Sequence, residues 1–253
     1  MGLVSSLFAH KVVTVATADA SDPDALRRSL FESVGIDPDA PVDPKLMLAD
    51  TDYYALCERV VRADPHGVSV PLRVGSLMRC DDYGAFGLAW KTAPDLRASF
   101  ARAERYALVL TSVSTYEFFT EGGQSFMALN RDGERTLGLR ISNEQSIVAV
   151  TQIIREVCQE HFCPEAVYFK HASPGDLSAH EEYFGCPVHF GADRDALQVS
   201  ERLLSLPNRL GDASVAGFID AHLDQELAEV VQEKDLAAEV RCLLYTSDAA
   251  DDY

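Results

Sequence analysis

Apolar residues recur along this chain with a period that changes from helix-like to strand-like and back. In "SDPDALRRSLFESVG" (21–35) they return every three or four positions. Asp22 or Ser21 is placed to cap, Pro23 suits a first helical turn and Gly35 a stop, so a helix is predicted there. "TDYYALCERVVRAD" (51–64) predicts a second helix, with Tyr54, Cys57, Val60 and Val61 on one face. "YGAFGLAWK" (83–91) mixes small and aromatic residues. "TAPDLRASFARAERYALVL" (92–110) carries the cleanest stripe, Leu96, Phe100, Ala103, Ala107 and Leu110, with arginines outside it. Residues 1–20 show no bounded pattern and are expected to be frayed.

The period then drops to two. "STYEFFT" and "QSFMALN" alternate on either side of Gly122-Gly123, and Asp132-Gly133 leads on to "TLGLRI". Gly-Gly and Asp-Gly between alternating runs mark tight hairpins, because two-residue turns need positive φ. A three-stranded antiparallel meander is therefore expected over 114–141. A Ser142-to-Gln145 capping box then opens a helix that buries Ile147, Val150, Ile154, Val157 and Cys158. "PEAVYFKH" reads as a further strand.

In "HASPGDLSAHEEYFGCPVHFGADRDALQVS" (171–200), Ser173 and Pro174 are expected to start a short helix that stops at Gly185. "CPVHF" and "ALQVS" follow as short strands, and Ser200 caps a short helix. "GDASVAGFIDAHLDQELAEVVQ" predicts a last amphipathic helix with Val215, Ile219, Leu223, Leu227 and Val231 at four-residue spacing. The fold class expected is α+β: a helical N-terminal portion packed with an antiparallel sheet, closed by a C-terminal linker helix.

Composition narrows the function. The chain has 253 residues, 40 acidic against 22 basic side chains and a net charge of −18. A surface that negative repels phosphodiester backbones and anionic membranes. No run is long and apolar enough for a transmembrane span. The opening "MGLVSS" matches a myristoylation pattern that three wildcards make weak, and it lacks the basic start of a signal peptide. The six cysteines show no CxxC pair and read as reduced thiols of a cytoplasmic protein.

Candidate chemistry centres on His171, His180, His189 and Cys186. Cys186 and His189 have CxxH spacing, but on a strand they point to opposite faces, and no second pair completes a metal site. No metal and no cofactor is expected. Cys186, between Gly185 and Pro187 with no adjacent base or cation, reads as a buried, inert thiol. Phosphate-binding loops and GxSxG elbows are absent, and "GAFG" lacks the third glycine of a dinucleotide loop. Trp90, Tyr106, Tyr116 and Phe118 fall at the helix-to-sheet junction; aromatics there usually form plain core, with an apolar ligand pocket as the other reading.

"FKHASPGDLSAHEEYFGCPVHFGADRDALQVSERLLSLPN" resembles the N-terminal effector domain, labelled arabinose-binding, of AraC/XylS-type bacterial transcription regulators. His171, Pro174, the "YFGCPVHF" block at 183–190 and "Leu-x-Val-Ser" at 197–200 carry the likeness, which extends over about residues 24–232. The Phe-Gly-Cys-Pro-Val segment is its most specific part. The resemblance implies a sensing and dimerisation domain over 21–210, in which Gly185, Cys186 and Pro187 shape a turn into a strand. It also implies a linker helix at 211–233 and, at "KDLAAEVR" (234–241), the opening of a DNA-binding domain whose helix-turn-helix units are missing. "CLLYTSDAADDY" (242–253) looks like a non-native, adapter-derived tail. The partners implied are a small-molecule effector, with Trp90, Tyr106, Tyr116, Phe118 and His171 as its candidate contacts, and a second copy of the chain. DNA would be reached only through the missing domain. Two competing readings are an enzyme using Cys186 or the histidines and an effector-free interaction module.

Overall fold

The computed structural model describes the backbone of residues 2–43 and 45–248, with side chains as far as Gln232. Strands β1 (Leu3–Ser5) and β2 (Met47–Ala49) pair antiparallel and anchor helix α1 (Ser6–Thr17). The opening of the chain, expected to be frayed, belongs to the core. Val4, Leu7, Ala9, Val12 and Val13 are buried, and the Ser5 hydroxyl caps α1 by accepting from the Leu7 N–H at 3.3 Å. Helices α2 (Pro23–Glu32), α3 (Asp50–Ala63) and α4 (Val70–Ser76) complete a helical layer. Asp22 caps α2 through the Ala25 N–H at 3.1 Å, and Gly35 follows with φ 71°.

Helices α5 (Gly84–Thr92) and α6 (Leu96–Tyr106) lead to strands β3 (Ser114–Glu121) and β4 (Gln124–Arg131). Gly122 and Gly123, at φ 58° and 79°, make the hairpin turn that their pairing predicts. The expected third strand of a meander does not form. "TLGLRI" instead opens helix α7 (Leu137–Val157), capped by Thr136, whose hydroxyl accepts from the Leu139 N–H at 3.2 Å. Ser142 and Gln145, read as a capping box, lie inside that helix. The reason is burial: 15 of the 21 residues of α7 are buried, because it runs between the helical layer and the sheet. A helix buried on nearly every side shows no single apolar stripe, so its first turns imitate alternation.

Strands β5 (Ala166–Phe169), β6 (Val188–Phe190) and β7 (Asp195–Val199) join β3 and β4 in a sheet of order β3-β4-β7-β5-β6. The sheet is mixed rather than antiparallel throughout, since β5 and β6 run parallel on either side of helix α8 (Ser178–Phe184). A crossover helix returns the chain to the same end, and that makes the pair parallel. Helix α8 starts four residues later than Ser173-Pro174 suggests. Ser173 instead bonds the Gly175 N–H at 3.1 Å, and Asp176 accepts from Ser178 N–H at 3.0 Å just ahead of the helix. Gly185 ends α8 at φ 74°, a conformation that a glycine adopts without penalty.

Ser200 caps the short helix α9 (Glu201–Leu204) as its position suggests. Helix α10 (Ala213–Asp248) buries Ala216, Ile219 and Leu223, while Val215 and Val231 are exposed. Strict four-residue spacing drifts about 40° per step around a helix of 3.6 residues per turn, so both ends of that predicted stripe rotate away from the core. Helix α10 runs as far as Asp248; residues 249–253 of the tail read as non-native lie outside the described residues. Among the described residues no helix is long and apolar enough to cross a membrane. The α+β class is the one the pattern implies. One apolar core fills the helical layer, another lies between α5, α6, α7 and the inner sheet face, and α7 contributes to both.

Candidate functional site

Where the two cores meet, the packing leaves a cavity of about 50 Å³. Its walls come from β1, α1, α3, α5, α6, β3 and α7. Residues 142, 145, 146, 149, 150 and 153 of α7 all line it, a spacing that puts them on one helical face. That face is graded along its length: Ser142, Gln145 and Ser146 at the N-terminal end, then Ala149, Val150 and Ile153. At 1.5 Å per residue the grade spans roughly 16 Å.

Arg131, the last residue of β4, lines the polar end. Its guanidinium hydrogen-bonds the hydroxyls of Ser142, Ser114 and Ser146, the last two at 3.4 and 3.2 Å. Among the described residues that line it, none is an aspartate or glutamate. Gln145 is fixed in orientation: its Oε1 accepts from Tyr53 Oη at 2.7 Å and from Cys57 Sγ at 3.8 Å. The carbonyl side of the amide is thereby occupied, leaving the NH2 free. Trp90 Nε1, Gln145 Nε2 and Arg131 Nε are all buried without a hydrogen-bond partner among the described residues. Burial pushes the phenol pKa of Tyr53, Tyr83 and Tyr116 upward, so the hydroxyls facing the cavity are neutral at pH 7. One positive charge therefore stands among neutral groups.

Of the five residues picked out as ligand contacts, the structure brings Trp90 and Tyr116 together on this cavity. Tyr106 turns the other way and donates to Asp224 Oδ1 of α10 at 2.8 Å. Phe118 packs on Phe100 with ring centroids 5.9 Å apart, under the Arg97 guanidinium. His171 stands at a separate cleft of about 30 Å³ that also contains Arg131. Sequence reasoning missed Arg131, Ser142, Gln145 and Ser146. Arg131 borders the Asp132-Gly133 turn in sequence and the other three look like a helix start, whereas the end of β4 and the buried face of α7 place them on the cavity.

The histidines divide between two surroundings. His171 and His180 both hydrogen-bond Glu144, Nε2 to Oε1 at 2.8 Å and Nε2 to Oε2 at 2.9 Å. Glu144 and His180 are buried, on α7 and α8 respectively, so this bridge ties the crossover helix to the centre of the domain. His189 is exposed on the outer face of the sheet and stacks on Tyr168 at 5.0 Å. Among the described residues no three His, Cys, Asp or Glu side chains converge as a metal site.

Cys186 is half-buried rather than fully enclosed, and a cation does stand near it, contrary to the expectation from sequence. Burial and the neighbouring Cys163 push its thiol up to about 12, and the nearby Arg155 only partly opposes this. A thiol so raised holds almost no thiolate at neutral pH. Native Cys186 is expected to alkylate far more slowly than free cysteine at pH 7, and Cys186→Ala to cost about 1 kcal/mol. Peptide mapping after a short iodoacetamide pulse checks the first, and urea denaturation the second. Stoichiometric labelling within minutes would contradict it.

The α+β core thus surrounds a small, mostly apolar cavity, with a long helix packed beside it. A family model described as the arabinose-binding domain of AraC transcription regulators, N-terminal, matches residues 26–208. The chain belongs to that family. Among solved structures, the chain is similar to the transcriptional regulator CdpR from Pseudomonas aeruginosa. The two share 18% identity over 81% of this chain and 69% of that one, with a TM-score of 0.55, a likeness of fold. The curated proteins include no match to the chain.

Proposed function

We propose that this domain binds a small-molecule effector in the cavity and passes its occupancy to helix α10. The observation that carries this is the set of buried donors without partners on the cavity wall, above all Trp90 Nε1. A buried N–H with no acceptor costs roughly 1–3 kcal/mol, so such groups persist where a ligand completes them. Trp90 is also where the cavity meets the output side. Its carbonyl accepts from Asn208 Nδ2 at 3.0 Å, and Asn208 holds the chain just before α10 by further bonds to Ala93 O and Ser99 Oγ. On the next helix, Arg102 forms a forked pair with Asp220 at 3.0 and 2.7 Å, and Tyr106 reaches Asp224. A ligand that shifts α5 or α6 therefore shifts what α10 is bonded to, which is the differential contact that a population shift requires.

In this reading the domain is no enzyme: Cys186 and the histidines lie off the cavity, and what lines it binds rather than reacts. It works in the cytoplasm as the sensing part of a regulator that pairs with a second copy, with DNA contact made outside residues 2–232.

Trp90 is the only tryptophan of the chain, so its emission reports on the cavity directly. In a metabolite screen, compounds that raise the melting temperature are expected also to change Trp90 emission and to slow amide exchange in α10. A compound that stabilises the protein while leaving Trp90 emission unaltered would place the effector elsewhere.

A further inference from the structure

We infer that the effector is a small organic monocarboxylate with an apolar body, its carboxylate seated at Arg131 and its body lying along Ala149, Val150 and Ile153. The inference rests on the cavity being the effector site.

Four observations converge on the carboxylate. Among the described residues Arg131 brings the only formal charge to the lining, and its guanidinium bonds three serine hydroxyls there. A guanidinium presents its donors in a planar fork that matches a carboxylate, and in a low-dielectric site this pairing is stronger than one with a neutral acceptor. The free Gln145 NH2 stands three residues from Ser142 and one from Ser146, on the same face of α7, and supplies a further donor to the same end. Gln145 is itself nine-tenths buried, and its orientation is set from behind by Tyr53. Finally, the surroundings of Arg131 are basic in a strongly acidic chain. The cleft that shares Arg131 with the cavity also carries Arg135, Arg140 and Lys170. The acid there, Asp195, is occupied by Asn143 Nδ2 at 3.0 Å and the Lys170 N–H at 2.9 Å. In a chain of net charge −18, this is where an anion meets attraction.

The rest of the lining argues against a polyol. A sugar needs a donor or acceptor for nearly every hydroxyl, and unpaired hydroxyls in an apolar wall are costly. Beyond Gln145 and Ser146, α7 offers only Ala149, Val150 and Ile153, faced by Phe86 and Met78. The volume favours a body of a few carbons.

Titrations of the whole chain with butyrate, hexanoate and benzoate, followed by Trp90 emission and melting temperature, test this against the matched amides and against L-arabinose. At least one acid is expected to bind tenfold or more tightly than its own amide, with arabinose silent. In Arg131→Gln the preferred acid should weaken by about thirtyfold or more, while amide binding changes less than threefold. Arg131→Lys keeps the charge without the fork and should retain a preference for acid over amide at reduced affinity; circular dichroism confirms that each variant folds. If amides or arabinose bind as well as the acids, or Arg131→Gln leaves acid binding intact, the carboxylate inference is wrong while the cavity remains the effector site. If none of these probes changes Trp90 emission but a different compound does, the ligand class is again wrong. If compounds stabilise the protein without touching Trp90 emission, the cavity reading fails and this inference goes with it.

Discussion

Glu144→Ala is expected to destabilise the domain by about 3 kcal/mol at pH 7, read as a shift in urea midpoint at unchanged slope. The variant leaves His171 and His180 without the carboxylate that both now bond, inside packing that admits little water. The pH dependence gives a second readout. Burial raises the carboxyl pKa of Glu144, but the hydrogen bonds and proximity of His171 and His180 outweigh it, and the net direction is downward. A carboxyl group whose folded pKa is depressed contributes stability that is fully present above its unfolded value of roughly 4.3. That contribution is lost as pH falls through the lower folded value. The gap between the wild type and Glu144→Gln should accordingly be widest at neutral pH and shrink below about pH 4. A gap that stays constant from pH 7 to pH 3 would show that the charge on Glu144 contributes nothing to folding.

The second large effect is steric. A Cβ on Gly138 would sit 2.3 Å from the Tyr54 carbonyl oxygen and 2.7 Å from its carbonyl carbon, where α7 crosses α3. Backbone does not yield as a side-chain tip does, so Gly138→Ala is expected to cost about 2–3 kcal/mol, or a melting-temperature loss of roughly 5–10 °C. On helix propensity alone the same change would gain up to about 1 kcal/mol. Gly217 in α10 is the internal control: a Cβ there meets nothing within 4 Å, so Gly217→Ala should raise stability by a few tenths to about 1 kcal/mol. Calorimetry on the pair therefore expects opposite signs from one chemical change. Equal signs would show that the α3–α7 approach is looser than this spacing.

Much of the candidate site escaped sequence reading for one physical reason. Trp90 and Tyr116 could be singled out because large aromatics at a helix-to-sheet junction are either core or pocket, and both readings place them at the same spot. Arg131 and Gln145 carried no such mark. An arginine beside Asp-Gly looks like a turn residue, and a glutamine three positions after a serine looks like a capping box. Their roles depend on which face of α7 turns inward, and that is set by α3, α4 and the sheet closing around the helix from different parts of the chain. Tyr106 and Phe118 show the converse. Their type suited a pocket, but Asp224 and Phe100 reached them first.

By itself the sequence determined the α+β class, the amphipathic helices with one exposed face, the Gly122-Gly123 hairpin, the stop at Gly185 and, through the Phe-Gly-Cys-Pro-Val block, the family. These are local properties: a stripe, a cap or a positive φ is decided within a few residues of itself. Tertiary structure alone decided that residues 3–17 belong to the core, that "TLGLRI" is helix, that β5 and β6 run parallel, and that Glu144 bridges His171 and His180. In each case the deciding contact is distant in sequence, as in Leu3 with Ala49, Gly138 with Tyr54, or Glu144 with His180. Where burial comes from all sides the periodic signal vanishes, and α7, which carries Ser142, Gln145 and Ser146 on the cavity, is the helix buried that way.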